Sequence, residues 1–110
     1  MRLPNGERAS IDDAKVRDYL LSPTHPIGRF KATFYSGLGY SVQNWLELRD
    51  LLLQLARDGE ALPGKPSPFG QKFEIHATVK GPSGRAARIV TVWMISVGAE
   101  HAHFVTAYPG

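Results

Sequence analysis

The chain contains no cysteine among its 110 residues. That absence excludes disulfides, thiolate nucleophiles and cysteine-ligated zinc, and it agrees with a reducing compartment. Long apolar runs are missing as well: nothing approaches the ~20 residues of a membrane helix, and the opening MRLPNGERAS lacks the apolar stretch of a secretory signal. The expectation is a soluble protein of the cytoplasm with no membrane partner. Phosphate-cradling glycine motifs are lacking too, because Gly37-Leu38-Gly39 does not extend into a dinucleotide fingerprint and no P-loop sequence follows a strand pattern. No cofactor is therefore expected. No serine sits in a G-x-S-x-G elbow, and Ser83 belongs to a turn, so a hydrolase triad is not indicated.

What is present suffices for one core. With 43% hydrophobic residues and no low-complexity stretch, residues 1–110 read as a single domain. The 13 Lys and Arg outnumber the 10 Asp and Glu, giving a net charge of +3 that favours an acidic partner such as nucleic acid or an acidic protein. Helix patterns come first. Ser10 with Asp13 resembles a capping box, followed by Ile11, Ala14, Val16, Tyr19 and Leu20 on a short amphipathic helix that stops before Pro23. A second helix is predicted over 28–38, with Phe30, Phe34 and Leu38 stacked at helical spacing and Gly39 past its end. Ser41 restarts a third, whose stripe of Trp45, Leu48, Leu51, Leu52 and Leu55 closes at Arg57 and Gly59.

Residues 61–70 are rich in Pro and Gly and read as a loop. Strand patterns follow. Phe73, Ile75, Ala77 and Val79 alternate with Lys72, Glu74, His76, Thr78 and Lys80, a strand with one buried and one wet face. Gly81-Pro82-Ser83-Gly84 turns the chain into an apolar strand at 89–97, and a last strand runs over 101–108. The predicted class is α+β: three N-terminal helices packed on one face of a C-terminal antiparallel three-stranded meander, to which Arg2 to Ser10 would add a short edge strand. Exposed edges of such a sheet could pair with a second copy in a homodimer.

The segment from Asp18 to Ala32 combines structural punctuation with chemistry. Pro23 and Pro26 break the helix, Gly28 permits close backbone approach, and His25 then stands at a helix N-terminus with Lys31 about one turn on. A phosphate would fit there. His76 shares its strand face with Lys72, Glu74 and Lys80 and reads as part of a solvated face. His101 and His103 form an H-x-H pair on one strand face, but His76 would lie roughly 10 Å away across the sheet, so no metal site is expected. A proton donor or acceptor is the better use of His103, since imidazoles exchange protons near neutral pH. Thr106 and Tyr108 fall on one face of the last strand, opposite His103 and Val105. Trp45 and Trp93 sit in apolar periodic runs and read as core.

Taken together, Leu3-Pro4-Asn5, Lys15 to Leu21, His25-Pro26 with Gly28 and Lys31-Ala32, Gly81 to Arg85, Val92-Trp93 and Val105 to Pro109 resemble a bacterial family of uncharacterised domains. Members look like small stand-alone proteins, and similar domains occur at the C-terminal tips of polymorphic and contact-dependent toxins. The resemblance spans nearly the whole chain and implies a fold similar to the barnase-, EndoU- and RelE-like ribonucleases. It implies metal-independent RNA cleavage through attack of a ribose 2′-hydroxyl on the adjacent phosphate, in a toxin held in check by an antitoxin or immunity protein. His25 would then do general acid or base work, Lys31 stabilise phosphate charge and Thr106 hydrogen-bond a phosphate oxygen, with Arg85, His103 and Tyr108 as substrate-binding candidates. His103 stands where the family pattern favours an arginine. The alternative is a non-catalytic interaction domain, immunity-like or regulatory, in which His25 and its prolines form a rigid corner. Convergence of His25, Lys31 and Thr106 with Arg85 or His103 on one concave surface separates the two.

Overall fold

The computed structural model describes residues 1–26 and 29–110. Gly28, assigned above to close backbone approach, lies outside the described residues. Helical segments precede four strands: α1 (Asp13–Lys15) runs into a π-helical turn (Val16–Leu20), followed by α2 (Arg29–Leu38), a 3-10 turn (Val42–Asn44) and α3 (Trp45–Asp58). The strands β1 (Ala61–Ser67), β2 (Gly70–Lys80), β3 (Ala86–Ser96) and β4 (His103–Pro109) form one antiparallel sheet in the order β1-β2-β3-β4. The three-stranded meander is thus corrected to four strands, because the segment expected to be a loop pairs with β2. Pro63 and Pro66 disguise it in sequence, yet β1 lies at the sheet edge, where a residue without an N–H is tolerated. No N-terminal edge strand forms among the described residues 2–10, which contribute a 3-10 turn (Gly6–Arg8) and isolated bridges from Arg2 to Glu60 and from Ser10 to His103.

Local chemistry explains the helix ends. Asp12, not Ser10, caps α1, its carboxylate accepting from the Ala14 N–H at 3.1 Å. Ser41 and Asn44 form a reciprocal capping box ahead of α3. At the end of α2 the chain turns through Gly39 at φ 98°, and the Tyr40 N–H bonds back to the Tyr35 carbonyl at 3.0 Å. Gly39 itself has no room for a side chain, because a Cβ there would stand 2.5 Å from the Ser83 nitrogen.

The core lies between the helices and one sheet face. Val16 and Leu20 of the π turn, Tyr35 and Leu38 of α2, and Leu48, Leu52 and Ala56 of α3 pack with Phe73, Ile75, Ile89, Trp93, Phe104 and Ala107 of the sheet. Trp93 satisfies its indole N–H on Thr91 Oγ1 at 2.9 Å, and the threonine donates to the Ile75 carbonyl at 3.2 Å, so the buried polar groups close on each other. The α2 stripe is rotated from its expected setting. Ala32, Tyr35 and Leu38 face inward, whereas Phe30 is 71% exposed. Among the described residues no helix is long and apolar enough to cross a membrane.

Candidate functional site

Three elements meet at the outer edge of β4. The first is the α1 and π-turn segment, which carries Lys15 and Tyr19. A π turn holds about one residue more per turn than an α-helix, and here the Leu21 N–H reaches the Val16 carbonyl at 3.1 Å. Val16, Leu20 and Leu21 thereby go into the core, while Tyr19 is left half-buried beside α2. The second element is α2, whose first turn supplies Lys31. The third is β4, where the pairing with β3 jumps: Phe104 opposes Trp93 and Thr106 opposes Val92, so Val105 is the extra residue of a bulge.

That bulge decides which residues share a face. Phe104 and Ala107 both turn into the core, and His103, Thr106 and Tyr108 pair with Met94, Val92 and Val90, alternate residues of β3 on one face. The expectation that His103 lies opposite Thr106 and Tyr108 is therefore corrected. An uninterrupted period of two would have separated them; one inserted residue brings them together.

Lys31 organises the cluster. Its Nζ donates to Thr106 Oγ1 at 2.9 Å and to the Tyr19 hydroxyl at 3.0 Å, and it lies 5.0 Å from the Tyr19 ring centroid. The His25 ring meets the Tyr19 ring edge-on, centroids 5.0 Å apart at 87°. Lys15 Nζ donates to the carbonyl of the bulge residue Val105 at 3.3 Å. Ala14, Lys15, Tyr19, Lys31, Val105 and Thr106 line an open cavity of about 480 Å³. Neither Lys15 nor Lys31 enters an ion pair among the described residues. Two cations thus border a half-buried concavity with hydroxyls and a carbonyl, not carboxylates, as their neighbours.

The donor count gives the arrangement its chemical meaning. An ammonium group has three N–H donors, and a hydroxyl that accepts a bond still has its own proton to give. Lys31 uses two donors on Tyr19 and Thr106, so both hydroxyls act as acceptors toward it and are left with protons for an anion. Beneath them, Tyr35 is fully buried with no partner for its hydroxyl among the described residues, and burial, with a smaller contribution from Tyr19, pushes its phenol well above the ordinary value.

The other sequence candidates divide. Tyr108 follows Thr106 on the same face, roughly 7 Å further along the strand, and His103 precedes it, exposed at the start of β4. Arg85 does not join them. Its guanidinium lies against Gly37 near the far end of α2, beside the β2–β3 turn that Ser83 pins to the Gly37 carbonyl at 3.0 Å. His101 precedes β4, and His76 is bonded to Glu74 at 3.0 Å on the open face. No cluster of three or more His, Asp or Glu able to hold a metal occurs among the described residues. Lys15 and Tyr19 are the site residues that sequence reading missed; their four-residue spacing on one helical segment was the available signal.

The family model for a domain of unknown function, DUF6883, matches residues 2–110. The chain belongs to the DUF6883 family. Among curated proteins none matches it. Among solved structures, the fold is similar to a chain of a contact-dependent growth inhibition toxin–immunity protein complex from Klebsiella pneumoniae 342, with a TM-score of 0.70 and 17% identity over 91% of this chain and 98% of that one. At that identity the likeness establishes that this DUF6883 domain shares the fold, and the fold alone.

Proposed function

We propose that this DUF6883 domain is a small endoribonuclease toxin that cleaves RNA without a metal ion and is neutralised by a cognate immunity protein or antitoxin. The observation that carries the reading is the contiguity of four residues from four separate segments: Tyr19, Lys31 and Thr106 line one open cavity, and His25 packs edge-on against the Tyr19 ring beside it. The fold shared with a chain of a toxin–immunity protein complex supports the biological setting.

In the proposed reaction the scissile phosphate sits on Lys31. His25, as a neutral imidazole, takes the proton of the ribose 2′-hydroxyl while the 2′-oxygen forms a bond to phosphorus. The P–O5′ bond breaks, and the 5′-oxygen leaves with a proton from water, giving a 2′,3′-cyclic phosphate and a 5′-hydroxyl end. The free N–H of Lys31 and the protons of Thr106 and Tyr19 stabilise the charge that develops on the phosphorane oxygens. Preorganisation is the gain, since these donors are already held by one another before substrate arrives. Lys15 adds a second cation at the rim. His103 and Tyr108 extend the same strand face on which Thr106 lies, whereas Arg85 is assigned no role.

Incubating the protein with total RNA and with tRNA tests this, with His25→Ala and Lys31→Met beside the wild type and thermal unfolding as the control for folding. Cleavage by the wild type and a loss of at least 100-fold in both variants is expected, in line with the ordinary contribution of a general base. No cleavage by the wild type, or equal cleavage by all three, overturns the reading. The edge-on packing of His25 on Tyr19 also suits a second reading, a non-catalytic interaction domain with a rigid corner. That reading requires His25→Ala to lower stability while no RNA is cut by any form.

A further inference from the structure

Phe30 is out of place for a helix whose inner face is Ala32, Tyr35 and Leu38: it is 71% exposed in the first turn of α2. Leaving a phenylalanine in water forgoes the gain of burying its ring, and a charged or polar helix former is the ordinary occupant of such a position. The ring is not bare on both sides. The Arg29 guanidinium lies over it, 4.9 Å from the centroid. Successive helix residues are rotated by roughly 100°, so Phe30 is the next position round from Lys31, and Phe34, which is packed against the core, stands one turn above it. Phe34 thus stands between the helix face of Lys31 and that of the exposed Phe30–Arg29 stack in the first turns of α2.

We infer that Phe30 and Arg29 form the platform on which a nucleobase of single-stranded RNA stacks, one nucleotide from the phosphate held by Lys31. This rests on the ribonuclease reading for the placement of that phosphate. Aromatic rings and guanidinium planes both accept the π-face of any base, so the platform is tolerant of sequence and demands an unpaired base. The charge nearby fits a polyanion: Arg29 and Lys31 flank Phe30 in the first turn of α2, Lys15 lines the cavity with Lys31, and none of the three forms an ion pair among the described residues. The site would thus select unpaired segments of folded RNA, holding backbone by charge and one base by stacking.

A single-stranded oligoribonucleotide with 2′-O-methyl sugars lacks the attacking hydroxyl, so binding is read apart from cleavage. With this strand, fluorescein-labelled, anisotropy titration at fixed salt is expected to show Phe30→Ala weakened about tenfold, within the range for loss of one stacked base. Phe30→Trp should bind like the wild type, Phe30→Leu should not rescue, and a duplex of the same sequence should be indifferent to residue 30. Equal binding by Phe30→Ala, full rescue by leucine, or no single-strand binding by the wild type overturns the platform, the last even if Phe30 proves to contact a protein partner. Binding through Phe30 without cleavage of ordinary RNA leaves the platform standing and removes the nuclease. Cleavage with Phe30-independent binding does the reverse.

Discussion

Lys31 and Tyr35, four residues apart on α2, carry opposite burdens. Lys31 satisfies two hydroxyls at the mouth of the cavity, while Tyr35 buries a hydroxyl that has no partner among the described residues. An unsatisfied buried polar group costs roughly 1–3 kcal/mol, so Tyr35→Phe should raise the denaturant midpoint by an amount equivalent to about 1 kcal/mol, measured by urea unfolding. The same phenol makes the fold sensitive to alkali. Burial raises the folded-state pKa of Tyr35 above its unfolded value, as it does for Tyr40 with Glu47 adding to the effect. A group with a raised folded pKa contributes stability that is fully present below the unfolded pKa and is lost as pH rises through the folded one. Stability should therefore hold up to about pH 10 and fall beyond it, with tyrosinate absorbance rising together with the loss of far-ultraviolet dichroism. In Tyr35→Phe that alkaline transition should move to higher pH.

Among elements, α2 works as a bar laid between two anchors. Its first turn meets β4 through Lys31 and Thr106, and its last turn meets the β2–β3 turn, where the Ser83 N–H bonds to the Leu38 carbonyl at 3.0 Å. Gly39 makes the second anchor possible, combining φ 98° with a backbone contact that leaves no room for a methyl group. Gly39→Ala should thus destabilise the chain by more than ~1 kcal/mol, the ordinary cost of a left-handed alanine, and lower cleavage by loosening Lys31 as well. Its signature is a fall in thermal midpoint with cleavage partly restored on cooling, whereas Lys31→Met should lose cleavage at all temperatures. The helices and β2 were legible because their periodicity is written in near neighbours, as with Leu48, Leu52 and Ala56 on α3 or Phe73, Ile75 and Val79 on β2. Strand β1 was not, since its prolines are permitted only by its edge position. The bulge at Val105 was equally hidden: a residue that leaves the ladder carries no composition of its own.

For the whole molecule, the modest net charge of +3 matters less than where the cations lie. Binding of single-stranded RNA should weaken with salt, with a slope of log affinity against log salt changing by about 0.7 for each phosphate contact removed. Lys31→Met and Lys15→Met should each reduce the slope by that amount, while Arg85→Met, beside Gly37 at the other end of α2, should leave it unchanged. Anisotropy titrations from about 50 to 200 mM salt would show the difference. Of the six site candidates named from sequence, His25, Lys31 and Thr106 share one cluster through Tyr19, His103 and Tyr108 flank Thr106 on its strand face, and Arg85 stands apart. The chain's own order of residues settled the class, the helices that precede the strands and the placement of Trp93 in the core, because apolar periodicity and turn residues act over a few neighbours. Folding in space settled the fourth strand, the outward turn of Phe30, the distance of Arg85 and the meeting of Lys31 with Thr106 across 75 residues. Those depend on which surfaces a segment meets after the core closes, and no local pattern carries that information.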